Sequence, residues 1–434
     1  MTHAHPSGKA QFSELGLAPA LLAVLERLEF TVPTPIQTKA IPIAVTGKDI
    51  IGIAQTGTGK TLAFVLPLLQ QVSRTKKRGL VILPTRELAL QIDETFRKVG
   101  DSFGLRSALV IGGGSMSRQR EALGRNPHVI IGTPGRMIDH LQQGTLRLHN
   151  IGILVLDEAD RMLDMGFAPQ ITRILQHLPK ERQTLLFSAT MPPSIVTIAA
   201  RHMKMPVRVE VARSGTIVER VEQEFFVVQK QQKNRLLDRL LSEYTGAVLV
   251  FSRTKHGARK IARAVRAMGH SVAELHSSLS LPKRRKSLEG FKNGTYRVLV
   301  ATDIAARGID VTDIELVMNY DVPEDPEWYV HRVGRTARAG KPGHAVSFIT
   351  PDQRGKLRDI ERLIRASLRV SPLPELPPER AGMPQPSPFE RSWSAAPHRR
   401  SGPHSRDLRR SPRGRFHGSG HNHSRRQKHI RRDG

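Results

Sequence analysis

At 434 residues the chain is long enough for two or three domains, yet a hydrophobic content of 38% is low for one uniform globule and points to a part that builds no core. A net charge of +29 and a pI near 11.2 suit a polyanionic partner, nucleic acid or anionic membrane, although a solvated basic surface accounts for the charge equally well. No apolar run reaches about 18 residues, the opening MTHAHPSGKAQ has no apolar core, and there is no cysteine. The expectation is a cytoplasmic protein without membrane span, secretory signal, disulfide or thiolate metal site.

From about Phe12 short apolar runs alternate with helical patterns. Asp49–Ile53, Gly79–Leu83, Val129–Ile131, Ile153–Leu156 and Thr184–Phe187 have the length and composition of buried parallel strands, and stretches such as Glu87–Val99 read as helices between them. The alternation predicts a doubly wound parallel α/β sheet over 12–210, behind a flexible N-terminus, 1–11. The polar stretch 211–219 reads as a linker. The alternation then starts again with Ala247–Phe251, a helix over Thr254–Met268, Val272–Leu275, Val298–Ala301, Leu316–Asn319 and Ala345–Ile349, which predicts a second sheet over 220–372. From 373 to 434 Pro, Arg, Ser, Gly and His dominate, with 14 Arg and Lys against 5 Asp and Glu. Such a segment buries too little apolar surface to offset its ordering entropy and is predicted to be a disordered basic tail.

The segment Ala54-Gln55-Thr56-Gly57-Thr58-Gly59-Lys60-Thr61 follows the first strand and precedes an apolar helical run, Leu62–Leu69. That is the strand–loop–helix setting of a phosphate cradle. Gly57 and Gly59, with Thr56 and Thr58 between and before them, let backbone N–H groups turn toward phosphate oxygens. Lys60 brings charge to the outer phosphates, and Thr61 offers a hydroxyl to Mg2+. Ala54 stands where the strict pattern begins with Gly, and its small size meets the same need. Asp157-Glu158 ends the run Ile153–Leu156. Acids at the end of a buried strand do not pack, and that end of an open α/β sheet is where ligands bind. Asp157 is expected to hold Mg2+ through water and Glu158 to orient and deprotonate the attacking water. Alone, each feature has a plain alternative, a Gly-rich turn at a helix start or acids opening a loop; together they read as an NTPase.

With Asp157-Glu158-Ala159-Asp160 the chain resembles the DEAD-box ATP-dependent RNA helicases over about residues 12–370. The motifs stand in order: Pro33-Thr34-Pro35-Ile36-Gln37, Pro84-Thr85-Arg86-Glu87-Leu88-Ala89, Gly113-Gly114, Thr133-Pro134-Gly135-Arg136, Ser188-Ala189-Thr190, Ala301-Thr302-Asp303, Ala306-Arg307-Gly308-Ile309-Asp310, and His331-Arg332-Val333-Gly334-Arg335-Thr336-Ala337-Arg338. The resemblance implies two RecA-like domains in tandem with ATP in the cleft between them. By position, Phe30 stacks on adenine and Gln37 recognises it, Asp310 meets the ribose, Arg335 and Arg338 are arginine fingers, and Ser188 and Thr190 couple hydrolysis to domain movement. Helix capping is the plain alternative for the last pair. His331, Arg335 and Arg338 recur at helical spacing, which predicts three cationic groups on one helix face around an anion, or a solvated basic face. RNA contacts carry over to Pro84, Arg86, Gly114, Thr133, Gly135 and Arg136 in the first domain and to Arg284, Thr302, Arg307 and Gly308 in the second. The resemblance further implies that ATP and single-stranded RNA close the domains, bend the strand and separate short duplexes, and that phosphate release reopens them.

Three departures stand out: Glu29 where a Gly usually precedes the aromatic, Leu281 where a Gln usually stands three residues before Arg284, and Ala337 in place of a common Gly, which reads as harmless. The compact core with its basic tail resembles the bacterial RhlE-type branch. Arginine pairs such as Arg399-Arg400 and Arg425-Arg426, with Trp393 and Phe416, suit a nonspecific RNA tether or a solubilising tail; His417, His421 and His423 reflect composition more readily than a metal site. Ribosomal and mRNA-decay complexes are candidate partners. An ATP-gated RNA clamp and a DNA-directed motor are the competing readings.

Overall fold

The computed structural model describes residues 10–55, 57–211, 221–306, 311, 313–337 and 343–378. Thr56, Arg307, Gly308, Asp310, Arg338, most of the expected linker and the arginine pairs, aromatics and histidines of the tail lie outside the described residues.

Seven parallel strands build the first sheet: β1 (Ile50–Ile53), β2 (Arg78–Ile82), β3 (Ser107–Val110), β4 (Val129–Gly132), β5 (Ile151–Leu156), β6 (Gln183–Ser188) and β7 (Val207–Glu210), in the order β3-β4-β2-β5-β6-β1-β7. The second holds β8 (Val221–Val227), β9 (Ala247–Ser252), β10 (Val272–Leu275), β11 (Val298–Thr302), β12 (Ile314–Asn319), β13 (Gly343–Ile349) and β14 (Arg369–Ser371), in the order β10-β11-β9-β12-β13-β8-β14. Strand for strand the two orders are the same, so one topology occurs twice. Both sheets belong to a single compact unit of the chain.

Successive residues of a strand point to opposite faces, and both faces here are covered. Val81, Ile131, Val155 and Leu185 join one apolar cluster with the helix Lys60–Thr75, while Leu80, Ile82, Ile130, Leu154 and Leu186 join another with Met137, Ile171 and Ile174. Burial on both faces explains why these strands are near-continuous apolar runs. The same reasoning explains the strands that no apolar run announced. β7 and β14 lie at sheet edges and carry Arg208, Glu210 and Arg369, β3 is an edge strand with only alternate residues buried, and β8 interleaves Glu222, Gln223 and Glu224 with its apolar residues.

The chain keeps to the second domain beyond 372, where the tail was expected to begin. Arg235 donates to the carbonyls of Pro377 and Leu376 at 2.6 and 3.0 Å, and Leu376 packs on the core. Among the described residues no helix is long and apolar enough to cross a membrane.

Candidate active site and nucleic-acid interface

The loop after β1 turns into the helix Lys60–Thr75 through Gly59. Gly59 has φ +88°, and a Cβ there would lie 2.7 Å from Gln37 Nε2, so both conformation and space demand glycine. Gly57 also has φ +88°. The buried Lys60 Nζ donates to the Ala54 carbonyl at 2.8 Å, and Thr58 Oγ1 donates to the Gln55 carbonyl at 2.7 Å; Thr61 sits half-buried in the first helical turn. Gln37 is more engaged than the sequence suggested. Its Oε1 accepts from the Thr34 N–H and its Nε2 donates to the Gly59 carbonyl, both at 2.9 Å, tying a helix start to the cradle. One Nε2 hydrogen remains for a base. Phe30 stands nearby in sequence with 41% of its surface exposed.

Beyond β5 lies a cluster of buried acids. Asp157, Glu158 and Asp160 are each nearly inaccessible, and Glu158 adopts φ +52° at the start of the helix Ala159–Asp164. Burial pushes the Asp157 carboxyl up to about 6, with Glu158 adding to it and Lys60 opposing. Burial also raises Glu158, but Arg161, Lys60 and Arg335 together bring it below its ordinary value. Arg161 Nη1 reaches both Glu158 oxygens at 3.0 and 2.9 Å. Asp160 is bound to the end of β6: its Oδ2 accepts from the Ala189 N–H, the Thr190 N–H and the Thr190 hydroxyl at 3.0, 2.9 and 2.9 Å, while its own N–H donates to Ser188 Oγ at 3.2 Å. Ser188 and Thr190 therefore lock onto the acid cluster. Neither caps the helix that follows them, Pro193–His202, whose N-cap is Pro192.

The second domain contributes the cationic side of this cleft. The helix Pro326–Val333 ends before Arg335, whose N–H closes a turn onto the Arg332 carbonyl. The expected single helix face through His331, Arg335 and Arg338 is thus corrected: His331 is helical, Arg335 follows on a turn, and Arg338 lies outside the described residues. The turn still aims Arg335 inward, buried and close enough to act on Glu158 of the first domain. Arg161, His331, Arg332, Arg335, Asp303 and Phe251 line one hollow there. Arg332 holds this arm together. It pairs with both oxygens of Asp303 at 2.5 and 2.7 Å, donates to Asn319 Oδ1 at 2.9 Å, and lies over the Phe251 ring at 5.0 Å.

A second cationic group lies at the C-terminal edges of the two sheets. Arg86 opens the helix Arg86–Gly100, after buried Pro84, and its guanidinium rests against Gly113, where a side chain would collide with it and φ is +79°. Arg136, after the N-cap Thr133 and Gly135, donates to the Gly114 carbonyl at 3.1 Å and to Gln119 Oε1 at 3.4 Å. Gln119 in turn meets the Ile111 carbonyl and His140. Arg284, buried, reaches across from the second domain to Glu87 Oε1 at 2.7 Å. Burial, then Arg284 and Arg136, hold the Arg86 guanidinium below its ordinary value, with Glu87 opposing. Three arginines from two domains so close together are stabilised by an anion among them. Thr302 ends β11, in register with Ser252 at the end of β9. Leu281, the departure in the second domain, packs against the first domain's core.

Gln119, Glu87, Arg161 and Arg332 were given no role from sequence. Arg161 alone had a local signal, an arginine one helical turn after Glu158; the others meet partners distant in the chain.

A family profile described as DEAD/DEAH box helicase matches residues 34–198, and one described as helicase conserved C-terminal domain matches 232–340. The DEAD-box ATP-dependent RNA helicase CshA of Geobacillus kaustophilus is 46% identical over 365 residues, 83% of this chain and 78% of that protein. The chain belongs to the DEAD-box family of ATP-dependent RNA helicases. Among solved DEAD-box relatives, S. cerevisiae Dbp5 bound to RNA and ADP BeF3 superposes with a TM-score of 0.77 at 32% identity, covering 84% of this chain and 96% of that one. Mss116p bound to ssRNA and AMP-PNP gives 0.77 at 26% identity, covering 86% and 81%. A Dbp5 variant bound to a Gle1 variant and IP6 gives 0.67 at 31% identity, covering 85% and 96%. As a whole the chain superposes better on Dbp5 bound to RNA and ADP BeF3 than on that variant. The CshA relative lends no support to the RhlE-type branch.

Proposed function

We propose that this helicase hydrolyses ATP in the cleft between residues 12–210 and 220–372, and that the closed cleft holds single-stranded RNA and separates short duplexes. The observation that carries this reading is Arg335: it belongs to one domain, is buried, and acts on Glu158 of the other. An arginine arriving from a second body is worth about 10³–10⁵ in phosphoryl-transfer rate.

The cradle Thr56–Gly59 and Lys60 bind the phosphates, Phe30 and Gln37 the adenine, and Asp310 the ribose. Asp157 and Thr61 would hold Mg2+, which neutralises charge on the outer phosphates when bound. The fit is supported by Asp157 itself, a buried carboxyl beside two other acids whose ionised form an added cation favours. Glu158 orients the attacking water, Arg335 and Arg338 meet the developing charge, and Ser188 and Thr190 report the acid cluster's state to β6. RNA phosphates lie among Arg86, Arg136 and Arg284 and on backbone near Pro84, Gly114, Thr133, Gly135, Thr302, Arg307 and Gly308. Such contacts fix a strand without reading it. The RhlE-type placing rests on the compact core and basic tail alone. A cytoplasmic home and ribosomal or mRNA-decay clients belong to the same reading.

One observation favours the slower, clamp-like reading. Arg161 engages both Glu158 oxygens and lowers its proton affinity, which makes it a weaker general base. Single-turnover hydrolysis compared with RNA release separates clamp from unwinding enzyme. The reading as a whole is tested by steady-state ATP hydrolysis with single-stranded RNA, with matched DNA and with neither. RNA stimulation, not reproduced by DNA and lost in Glu158→Gln, is expected. Equal rates with and without RNA contradict it.

A further inference from the structure

The helix Lys255–Ala267 carries five lysines and arginines and no acid. Its buried residues, Ala258, Ile261, Ala262, Ala264 and Val265, are spent on the second sheet. At about 100° per residue, Lys255, Arg259, Arg263 and Arg266 fall within roughly 80° of arc, a stripe about 16 Å long. Lys255, Arg263 and Arg266 are exposed and Arg259 is half-buried. Among the described residues none of the four forms an ion pair or a side-chain hydrogen bond. Of the acids on the neighbouring elements, Glu289 pairs with Arg285 at 2.5 Å and Glu243 lies 3.9 Å from Arg239, while Glu274, 3.5 Å from the buried His276 whose pKa burial lowers, keeps its charge. The stripe thus concentrates positive charge that no ion pair among the described residues neutralises.

Its position says where that charge leads. The helix opens at its N-cap Thr254, two residues after Ser252, which is in register with Thr302 at the strand-end edge. Arg259 and Arg284 both lie within electrostatic reach of the buried His276, which places the N-terminal half of the stripe on the side of the arginine group at the domain boundary. Apart from Ala267 at its end, the exposed residues of this helix are polar or cationic, and its larger apolar residues are already buried, which leaves no bulky apolar side chain to insert into a lipid interface.

We propose that this stripe is a second RNA-binding surface, which takes the phosphodiester backbone of nucleic acid extending beyond the segment held between the domains. It rests on RNA being the polymer held there. The contacts are Coulombic and sequence-independent, and they give duplex or single-stranded flanks an anchor on the second domain alone.

The test uses the full-length chain with Arg263→Glu/Arg266→Glu, and with Arg263→Ala/Arg266→Ala as the milder pair. Thermal midpoints close to wild type establish that both variants fold. Binding is measured by fluorescence anisotropy across a salt series, for a short RNA that fills only the interdomain groove and for the same RNA extended by a hairpin. Affinity for the extended RNA should fall roughly tenfold, and the slope of log affinity against log salt should flatten by about 0.7–0.9 per cation removed. Affinity for the short RNA, and its stimulation of ATP hydrolysis, should not change. Unchanged binding of the extended RNA, which is also the result if the stripe serves an acidic protein, overturns the proposal. Equal losses on both RNAs overturn it as well, because the effect would then lie in the groove. A wild type that the short RNA fails to stimulate contradicts the proposed function instead.

Discussion

Glu29 closes the helix Pro19–Arg27 with φ +61°, while the N–H groups of Glu29 and Phe30 donate to the carbonyls of Glu26 and Leu25 at 2.9 Å. That is a Schellman closure, whose left-handed residue is ordinarily glycine. Ala337 has φ +53° and carries the same strain, so the departure that read as harmless is not conformationally neutral. Glu29→Gly should stabilise the chain by about 1 kcal/mol, read as a higher urea midpoint, without changing ATP turnover. His331 makes a prediction about pH. Burial, then Arg161 and Arg335, push its pKa down to about 3, while an unfolded histidine titrates near 6.5. Between these values the unfolded chain binds a proton that the folded chain does not. His331 therefore contributes stability that is fully present above about pH 6.5 and lost as pH falls toward 3. Urea midpoints should drop more between pH 7 and pH 5 in wild type than in His331→Gln; equal drops would remove the histidine from the account. At this scale the sequence exposed Lys60, Asp157 and Glu158, because cradle and acids act through short, local spacings. It did not expose Glu87 or Gln119, whose partners Arg284, Arg136 and His140 arrive from elsewhere in the chain.

At the scale of elements, the start of the helix Leu281–Lys292 is where the second domain meets the first. Leu281 packs on the first domain's core, and Arg284 pairs with Glu87 in a contact that leaves both Glu87 oxygens and Arg284 Nε without a well-aligned hydrogen bond among the described residues. The apolar contact occupies the position of the usual Gln, so burial and not an amide hydrogen bond joins the two domains at this point. Arg284→Ala strands a buried carboxylate in the closed form, at a cost of about 3 kcal/mol. The RNA concentration for half-maximal ATPase should rise by about a hundredfold, with the thermal midpoint little changed. Glu87→Ala/Arg284→Ala should recover part of the loss, and a double variant no better than the single would argue against the pairing. The strand runs at the sheet centres were legible because both faces are buried. β3, β7, β8 and β14 were not, since charged residues or half-exposed positions interrupt their apolar runs, whereas the edge strand β10 kept one. The helix Pro326–Val333 was read too long because cationic spacing continues through Arg335 after the backbone has left the helix.

At the scale of the whole molecule, one topology used twice places two strand-end edges against each other, one carrying acids and a phosphate cradle and the other an arginine arm. The repeat was visible as a second round of alternating runs. The geometry of closure was not, since Leu281, Arg284 and Arg335 find their partners only when the two domains meet. The proposed role of the basic tail as an RNA tether carries its own expectation. Deletion of residues 379–434 should raise the RNA concentration for half-maximal ATPase and flatten its salt dependence, with saturated turnover unchanged. An unchanged RNA requirement would argue against a tether.

The central claim is that the second domain completes the ATP site, and Arg335→Ala tests it most directly. RNA-saturated ATP turnover and nucleotide affinity would be measured on the same preparation. The account predicts a fall in turnover of about 10³-fold or more with nucleotide affinity nearly preserved, because the arginine meets charge that develops during transfer. Turnover within a few-fold of wild type would contradict it, and would mean that the first domain hydrolyses ATP without the second.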